Sequence, residues 1–158
     1  MIKVDLKNDR YFFTAGQHQV DKDFDPALGF VQRNDMVGTG AIMGFTPRVG
    51  NGEELIRQMR YTLYLRDVKN LEGISETGIV NVGIDAIFES RDRVGLKIIQ
   101  EREKLLNSFT LGNGLEIQKG NYRDRKISLS ARTKVSNTLF CIFERFTLLK
   151  NPQALNIL

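Results

Sequence analysis

Val80-Asn81-Val82-Gly83-Ile84-Asp85-Ala86-Ile87-Phe88-Glu89 separates into two sets of side chains when it is taken at every second residue. Val80, Val82, Ile84, Ala86 and Phe88 share one face; Asn81, Gly83, Asp85, Ile87 and Glu89 share the other. Side chains alternate across a strand, whereas a helix of 3.6 residues per turn would scatter both sets around its axis. The segment therefore predicts a β-strand. Ser90-Arg91-Asp92-Arg93 follows as a short polar turn. Beyond it, Val94, Leu96 and Ile98 alternate with Gly95, Lys97 and Ile99. Two alternating segments around a tight turn predict an antiparallel hairpin.

The same period extends outward in both directions. Upstream, Met59, Tyr61, Leu63 and Leu65 oppose Arg60, Thr62, Tyr64 and Arg66, and Val37, Thr39, Ala41, Met43 and Phe45 oppose Gly38, Gly40, Ile42 and Gly44. Glycine-rich faces suit close strand packing or a bend. Downstream, Ile127, Leu129 and Ala131 oppose Ser128, Ser130 and Arg132. A turn over Lys134 to Asn137 leads into Thr138 to Leu148, the most apolar stretch. Good helix formers in Ile99 to Leu106 and in Glu53 to Met59 offer a competing helical reading of those two segments. Pro26, Pro47 and Pro152 fall in loops or at strand ends. The expectation is six or seven strands in one domain over residues 1–158, with 151–158 as a divergent tail.

Composition narrows the function classes. Of the 158 residues, 41% are hydrophobic and 27% charged, as in an ordinary folded chain. The net charge of +4 is spread along the chain among 19 acidic residues, with no basic stripe, so nucleic acid is not an expected partner. Cys141 is the only cysteine, which leaves no disulfide framework and no multi-cysteine metal site. It lies in an apolar run, where a small buried hydrophobe is the commoner role. His18 is also alone, between Gln17 and Gln19 in what reads as a polar loop, and no Gly-x-Ser-x-Gly turn supports a nucleophile for it to activate. No eighteen-residue apolar run predicts a spanning helix. The start, Met1 to Leu6, lacks the apolar core of a signal peptide. No phosphate loop, HExxH or EF-hand pattern occurs, so neither metal nor cofactor is expected.

Long alternating strands fit two architectures. A soluble β-sandwich or lipocalin-like ligand-binding domain buries the apolar face inside; a membrane barrel turns that face to lipid and leaves charges on the lumen side. Membrane strands need about 9–11 residues, against about 5–6 for ordinary strands. Mid-strand Asp85, Lys97 and Arg132 favour a wet interior, while the lack of Trp leaves any aromatic girdle to Tyr and Phe. Periodicity leaves both architectures open.

Asp23-Phe24-Asp25-Pro26-Ala27-Leu28-Gly29-Phe30-Val31-Gln32-Arg33-Asn34-Asp35, followed by a strand ending Phe45-Thr46-Pro47-Arg48, resembles the hallmark of a bacterial family catalogued as domain of unknown function 5916. Further resemblances follow in order. Phe88-Glu89-Ser90-Arg91-Asp92 is similar to the family's turn after a Phe-polar strand. Glu103 to Phe109 resembles its Glu-x-Leu-x-x-Pro-Phe element, with Ser108 in place of Pro, and Gly114 to Tyr122 its Gly-x-x-Ile-Pro-x-Gly-x-Tyr element, with Gln118 in place of Pro. The set covers roughly residues 10 to 135. The resemblance implies an all-β antiparallel meander, part of the C-terminal β-barrel of a larger outer-membrane protein, with outer-membrane lipid as its partner. It also implies carbohydrate contact through a family 9 carbohydrate-binding-like module that this chain does not contain. The family has no established activity. Because single-chain bacterial barrels start at eight strands, six or seven imply a fragment that does not close alone.

Two sets of candidate binding residues emerge. Asp23, Phe24, Pro26, Gly29, Phe30 and Arg33 form the motif loop. The functional reading is a substrate-facing loop; the commoner one is a structural loop in which Pro26 and Gly29 shape the backbone, Phe24 and Phe30 anchor it, and Arg33 pairs with Asp25 or Asp35. Arg60, Arg66, Asp85, Glu89, Lys97 and Arg132 could line a solute path as charge rings do in pores, although such sets more often pair among themselves or stand solvated. Asp85 and Glu89, four residues apart on one strand, would be about 13 Å apart. That exceeds the roughly 5–9.5 Å of a glycosidase carboxylate pair, and no catalytic residue is expected.

Overall fold

The computed structural model describes residues 1–24, 35–49, 55–112, 114, 116–134 and 140–144. The described chain is all-β. Its strands are β1 (Ile2–Lys7), β2 (Tyr11–Val20), β3 (Met36–Phe45), β4 (Ile56–Lys69), β5 (Ser75–Phe88), β6 (Arg93–Leu105), β7 (Phe109–Thr110), β8 (Glu116–Ile117), β9 (Gly120–Lys134) and β10 (Phe140–Glu144). Eight of them form one antiparallel sheet in the order β1-β2-β3-β4-β5-β6-β9-β10, and β7 and β8 make a small separate hairpin between β6 and β9. Among the described residues β1 and β10 are the two edges, so the sheet is an open meander.

Three of the reversals have a local cause among the described residues. At the β1–β2 turn, the Asn8 side-chain oxygen accepts the backbone N–H groups of Arg10 (2.8 Å) and Tyr11 (2.7 Å). At β4–β5, Asn70 Oδ1 accepts the Ile74 N–H at 2.8 Å, and Gly73 takes a φ of +84°, a conformation open to glycine at little cost. The predicted central hairpin forms, with Val82 opposite Ile98 and Ile84 opposite Leu96. Its turn is closed by the Phe88 N–H donating to the Asp92 carbonyl at 2.9 Å, and Arg91 sits at a φ of +70°.

Register fixes which side chains share a face, because directly paired residues point the same way. One level runs Leu6, Phe13, Met43, Leu63, Val82, Ile98 and Ile127 from β1 to β9. The neighbouring levels on that face add Ala41, Leu65 and Val80 on one side and Tyr61, Ile84, Leu96 and Leu129 on the other. Together they make a continuous apolar belt across the sheet. Among the described residues no second layer covers it. Val82 is 45% exposed and Leu96 38%, and the one buried hydrophobic residue among those described, Val68, lies on the opposite face. The opposite face is polar and more crowded: Asp85 is 4% exposed, and Gly38, Gly83 and Gly95 are buried.

Several expectations need correction. The sheet has eight strands rather than six or seven, because the short β1 and the polar β2 are both strands. His18 therefore lies in β2, not in a loop. Ile99 to Leu105 belongs to β6 and Ile56 to Met59 to β4, so neither segment is helical where described. Their helix-favouring charges reflect strands that run past the apolar belt, where both faces are polar. Glu89 lies in the turn beyond β5, so it does not share a strand with Asp85. The Lys134 to Asn137 turn, the flanks of Thr138 to Leu148 and the tail 151–158 lie largely or wholly outside the described residues.

Gly95 shows how the polar face is packed. A Cβ there would lie 2.8 Å from Ser130 Oγ and closer still to Asp85 Oδ1. Gly95→Val is expected to cost about 1–3 kcal/mol by overpacking, read as a lowered urea midpoint in detergent micelles with an unchanged slope. Gly112→Ala, where a Cβ would meet nothing, should shift the midpoint by less than a third as much.

Candidate polar-face site

The motif loop and the lumen-type charges have different fates. Of the loop residues, only Asp23 and Phe24 are described; Pro26, Gly29, Phe30 and Arg33 lie outside the described residues, as does any pairing of Arg33 with Asp25. Phe24 follows a turn in which its N–H donates to the Asp21 carbonyl at 3.2 Å, and its ring is 53% exposed. Asp35, at the other end of the segment, has a φ of +56° and accepts the Leu71 N–H at 3.4 Å, which ties the entry of β3 to the β4–β5 turn. In the second motif segment, Tyr122 Oη donates to the Gln118 carbonyl at 2.6 Å, as expected of a residue that shapes its own loop.

The charges of the strands do come together. Successive levels of the polar face read Arg66, Ile79, Glu101, Asp124; then Tyr64, Asn81, Ile99, Lys126; then Thr62, Gly83, Lys97, Ser128; then Arg60, Asp85, Gly95, Ser130; then Gln58, Ile87, Arg93, Arg132. The firmest contact is a two-pronged ion pair: Arg93 Nε and Nη2 donate to Asp85 Oδ1 and Oδ2 at 3.1 and 2.8 Å. The hairpin makes this geometry available. Arg93 pairs with Ile87, two residues from Asp85 on the same face, so the guanidinium reaches diagonally across the turn. The bare Gly95 backbone opposite Asp85 leaves space for the carboxylate.

A second cluster lies nearer the other end. Lys126 Nζ donates to Glu101 at 2.7 Å and also faces Asp124 at 3.5 Å. On the opposite face, beyond the apolar belt, Asp67 accepts the Ser75 hydroxyl at 2.5 Å, and Arg102 donates to Ser75 Oγ at 2.6 Å. These groups engage one another, although Asp124 Oδ1 is buried without a hydrogen-bond partner among the described residues. The His18 ring lies over Gly38, where a Cβ would collide with it, so the lone histidine fills space above a glycine. Among the described residues no three His, Cys, Asp or Glu side chains gather as metal ligands.

Arg60, Lys97 and Arg132 are different. Among the described residues none of them makes a hydrogen bond or ion pair, and Arg60 Nε is buried without a partner. They belong to the mid-strand charges singled out in the sequence, and they stand within two levels of the satisfied Asp85–Arg93 pair. Sequence reasoning missed Arg93, which it assigned to the turn; counting the register outward from Ile87 would have put it diagonal to Asp85.

No protein-family model matches the chain, no curated protein is significantly similar to it, and no solved structure matches it. The resemblance to the family of unknown function rests on the residues quoted for it.

Removing one partner of a buried ion pair leaves a desolvated charge, a larger loss than the pair itself contributes. Arg93→Gln should therefore destabilise the sheet by about 2–3 kcal/mol, at the low end because Arg93 is itself partly exposed. Arg48→Gln breaks the exposed pair with Asp9 and should cost less than about 0.5 kcal/mol in the same denaturation assay.

Proposed function

We propose that the sheet is a section of the wall of an outer-membrane-type β-barrel, its apolar face against lipid and its polar face toward an aqueous lumen. One observation carries this reading: the apolar belt crosses the sheet from β1 to β9 and stays uncovered by the described residues, while an ion-paired carboxylate is buried on the other face. Leaving such a belt in water forfeits about 25 cal/mol for each Å² of apolar surface, so a stable arrangement covers it. A soluble sandwich or lipocalin-like domain would bury Val80, Val82 and Ile84 and leave Asp85 in water. In this chain the exposures run the other way.

Dimensions agree with the proposal. The strands from β2 to β6, and β9, are 10–15 residues long, matching or exceeding the roughly 9–11 residues of a membrane strand. The apolar set from Val80 to Phe88 covers about 26 Å along β5, or about 20 Å at a typical barrel tilt, close to the roughly 25 Å of a lipid-facing band. Tyr11, Phe45 and Tyr61 stack across three strands at one margin of the belt, with ring centroids 4.8 and 6.2 Å apart. Aromatic rings occupy such a margin at membrane interfaces. No described helix is long and apolar enough to cross a membrane, which bears only on helices. With the resemblance of the Asp23 to Asp35 loop, the reading extends to a larger protein concerned with the binding or passage of carbohydrate.

Nitroxide scanning across β5 and β6 tests the assignment of faces. In a Cys141→Ser background reconstituted into vesicles, labels at Val82, Ile84 and Leu96 should collide with oxygen dissolved in lipid. Labels at Asn81 and Lys97 should collide with a water-soluble nickel chelate. Water contact on both faces, or the reverse pattern, would sink the proposal.

A further inference from the structure

Three cations without partners beside a satisfied ion pair require an explanation. Arg93 is fully engaged by both Asp85 oxygens. Arg60, which lies opposite Asp85, makes no ion pair among the described residues, and neither do Lys97 and Arg132. From β4 to β9, the levels of Thr62, Arg60 and Gln58 hold four cations, Arg60, Arg93, Lys97 and Arg132, and one carboxylate, Asp85, so the described side chains there carry a net positive charge. Structural charge pairs on this sheet are made with short contacts, as Lys126 with Glu101 and Arg93 with Asp85 demonstrate.

We propose that this part of the polar face binds a soluble oxyanion, a phosphate or carboxylate group of a solute, held between Arg60 and Lys97 with Arg132 on its flank. Arg60 is paired with Asp85 and Lys97 with Gly83, two strands apart and one level offset. Strand spacing and rise put their Cα atoms about 12 Å apart. Both side chains are long enough to close on one anion above Gly83, beside the Thr62 hydroxyl, which lies over that glycine and donates to its carbonyl at 3.5 Å. A guanidinium with a free edge and an ammonium together suit an oxyanion better than a neutral sugar ring. Basic residues along a pore wall select anions in the same way.

The inference deepens the barrel-wall reading by naming its solute class, yet phosphate binding does not require insertion into a membrane. Titration calorimetry of the full chain in dodecyl maltoside micelles, with inorganic phosphate as the probe, should give saturable binding. Arg60→Gln and Lys97→Gln should each weaken it about tenfold, the equivalent of one charge-assisted contact. Lys119→Gln, an exposed loop lysine, should change it less than twofold. If Arg60→Gln loses the parent's strand-type circular dichroism, Lys97→Gln carries the test, because Lys97 has no partner to lose. Absence of saturable binding, or an equal loss in Lys119→Gln, would overturn the proposal. Displacement of the phosphate by phosphatidylglycerol in mixed micelles would assign the site to a lipid headgroup and overturn the solute. Phosphate binding without lipid contact at Val82 would sink the wall reading alone; lipid contact without phosphate binding would sink this inference alone.

Discussion

Backbone hydrogen bonding in a single antiparallel layer leaves every side chain a choice of only two faces, and the cross-strand register makes that choice for the whole sheet at once. A shift of one residue in any pairing would send Val82, Ile84 and their neighbours to the polar face and bring Asp85 and Lys97 into the apolar belt. The belt and the charged levels are therefore held together by the same ladder of N–H and C=O pairs. Because no second layer packs on either side, the apolar face finds no partner within the described chain. Its need for cover is the strongest physical demand that this structure makes on its surroundings.

The polar face shows how charge is accommodated on a wall of this kind. Glycine at 95 makes room for the Asp85 carboxylate and for the Arg93 fork that holds it. Glycine at 38 does the same for the His18 ring, and glycine at 44 for the ring of Phe12. Large and absent side chains alternate, so the face is filled without an apolar core. Buried ion pairs of this sort contribute little net stability but penalise any register that separates them. The Asp85–Arg93 contact thus helps to specify the hairpin that presents it.

Much of this was legible from period two alone. β3 to β6 and β9 carry clean alternation because they cross the belt, where one face is apolar and the other is not. The method fails where that contrast disappears. Phe12 and Phe13 are adjacent and point to opposite faces, and Gln17 and Gln19 lie on the apolar side beyond the belt, so β2 has the composition of a loop. The Gln100 to Lys104 end of β6 is charged on both faces and resembles a helix. At the site, the unpaired cations were visible as mid-strand charges. The partner of Asp85 was hidden, since Arg93 becomes its neighbour only once the turn is centred to the residue.

The connectivity of the meander bears on how the chain comes to order. Apart from β6 with β9, every pairing in the large sheet joins strands consecutive in the chain. Each strand can therefore add to an edge already formed by the strand before it. The exception spans the connection that holds β7 and β8, and closing a loop of that size costs only about 2–3 kcal/mol of chain entropy. Topologies dominated by near-neighbour contacts fold faster than other β architectures of similar size. Stepwise growth of this kind also limits the time for which a long, amphipathic edge stands exposed to another chain.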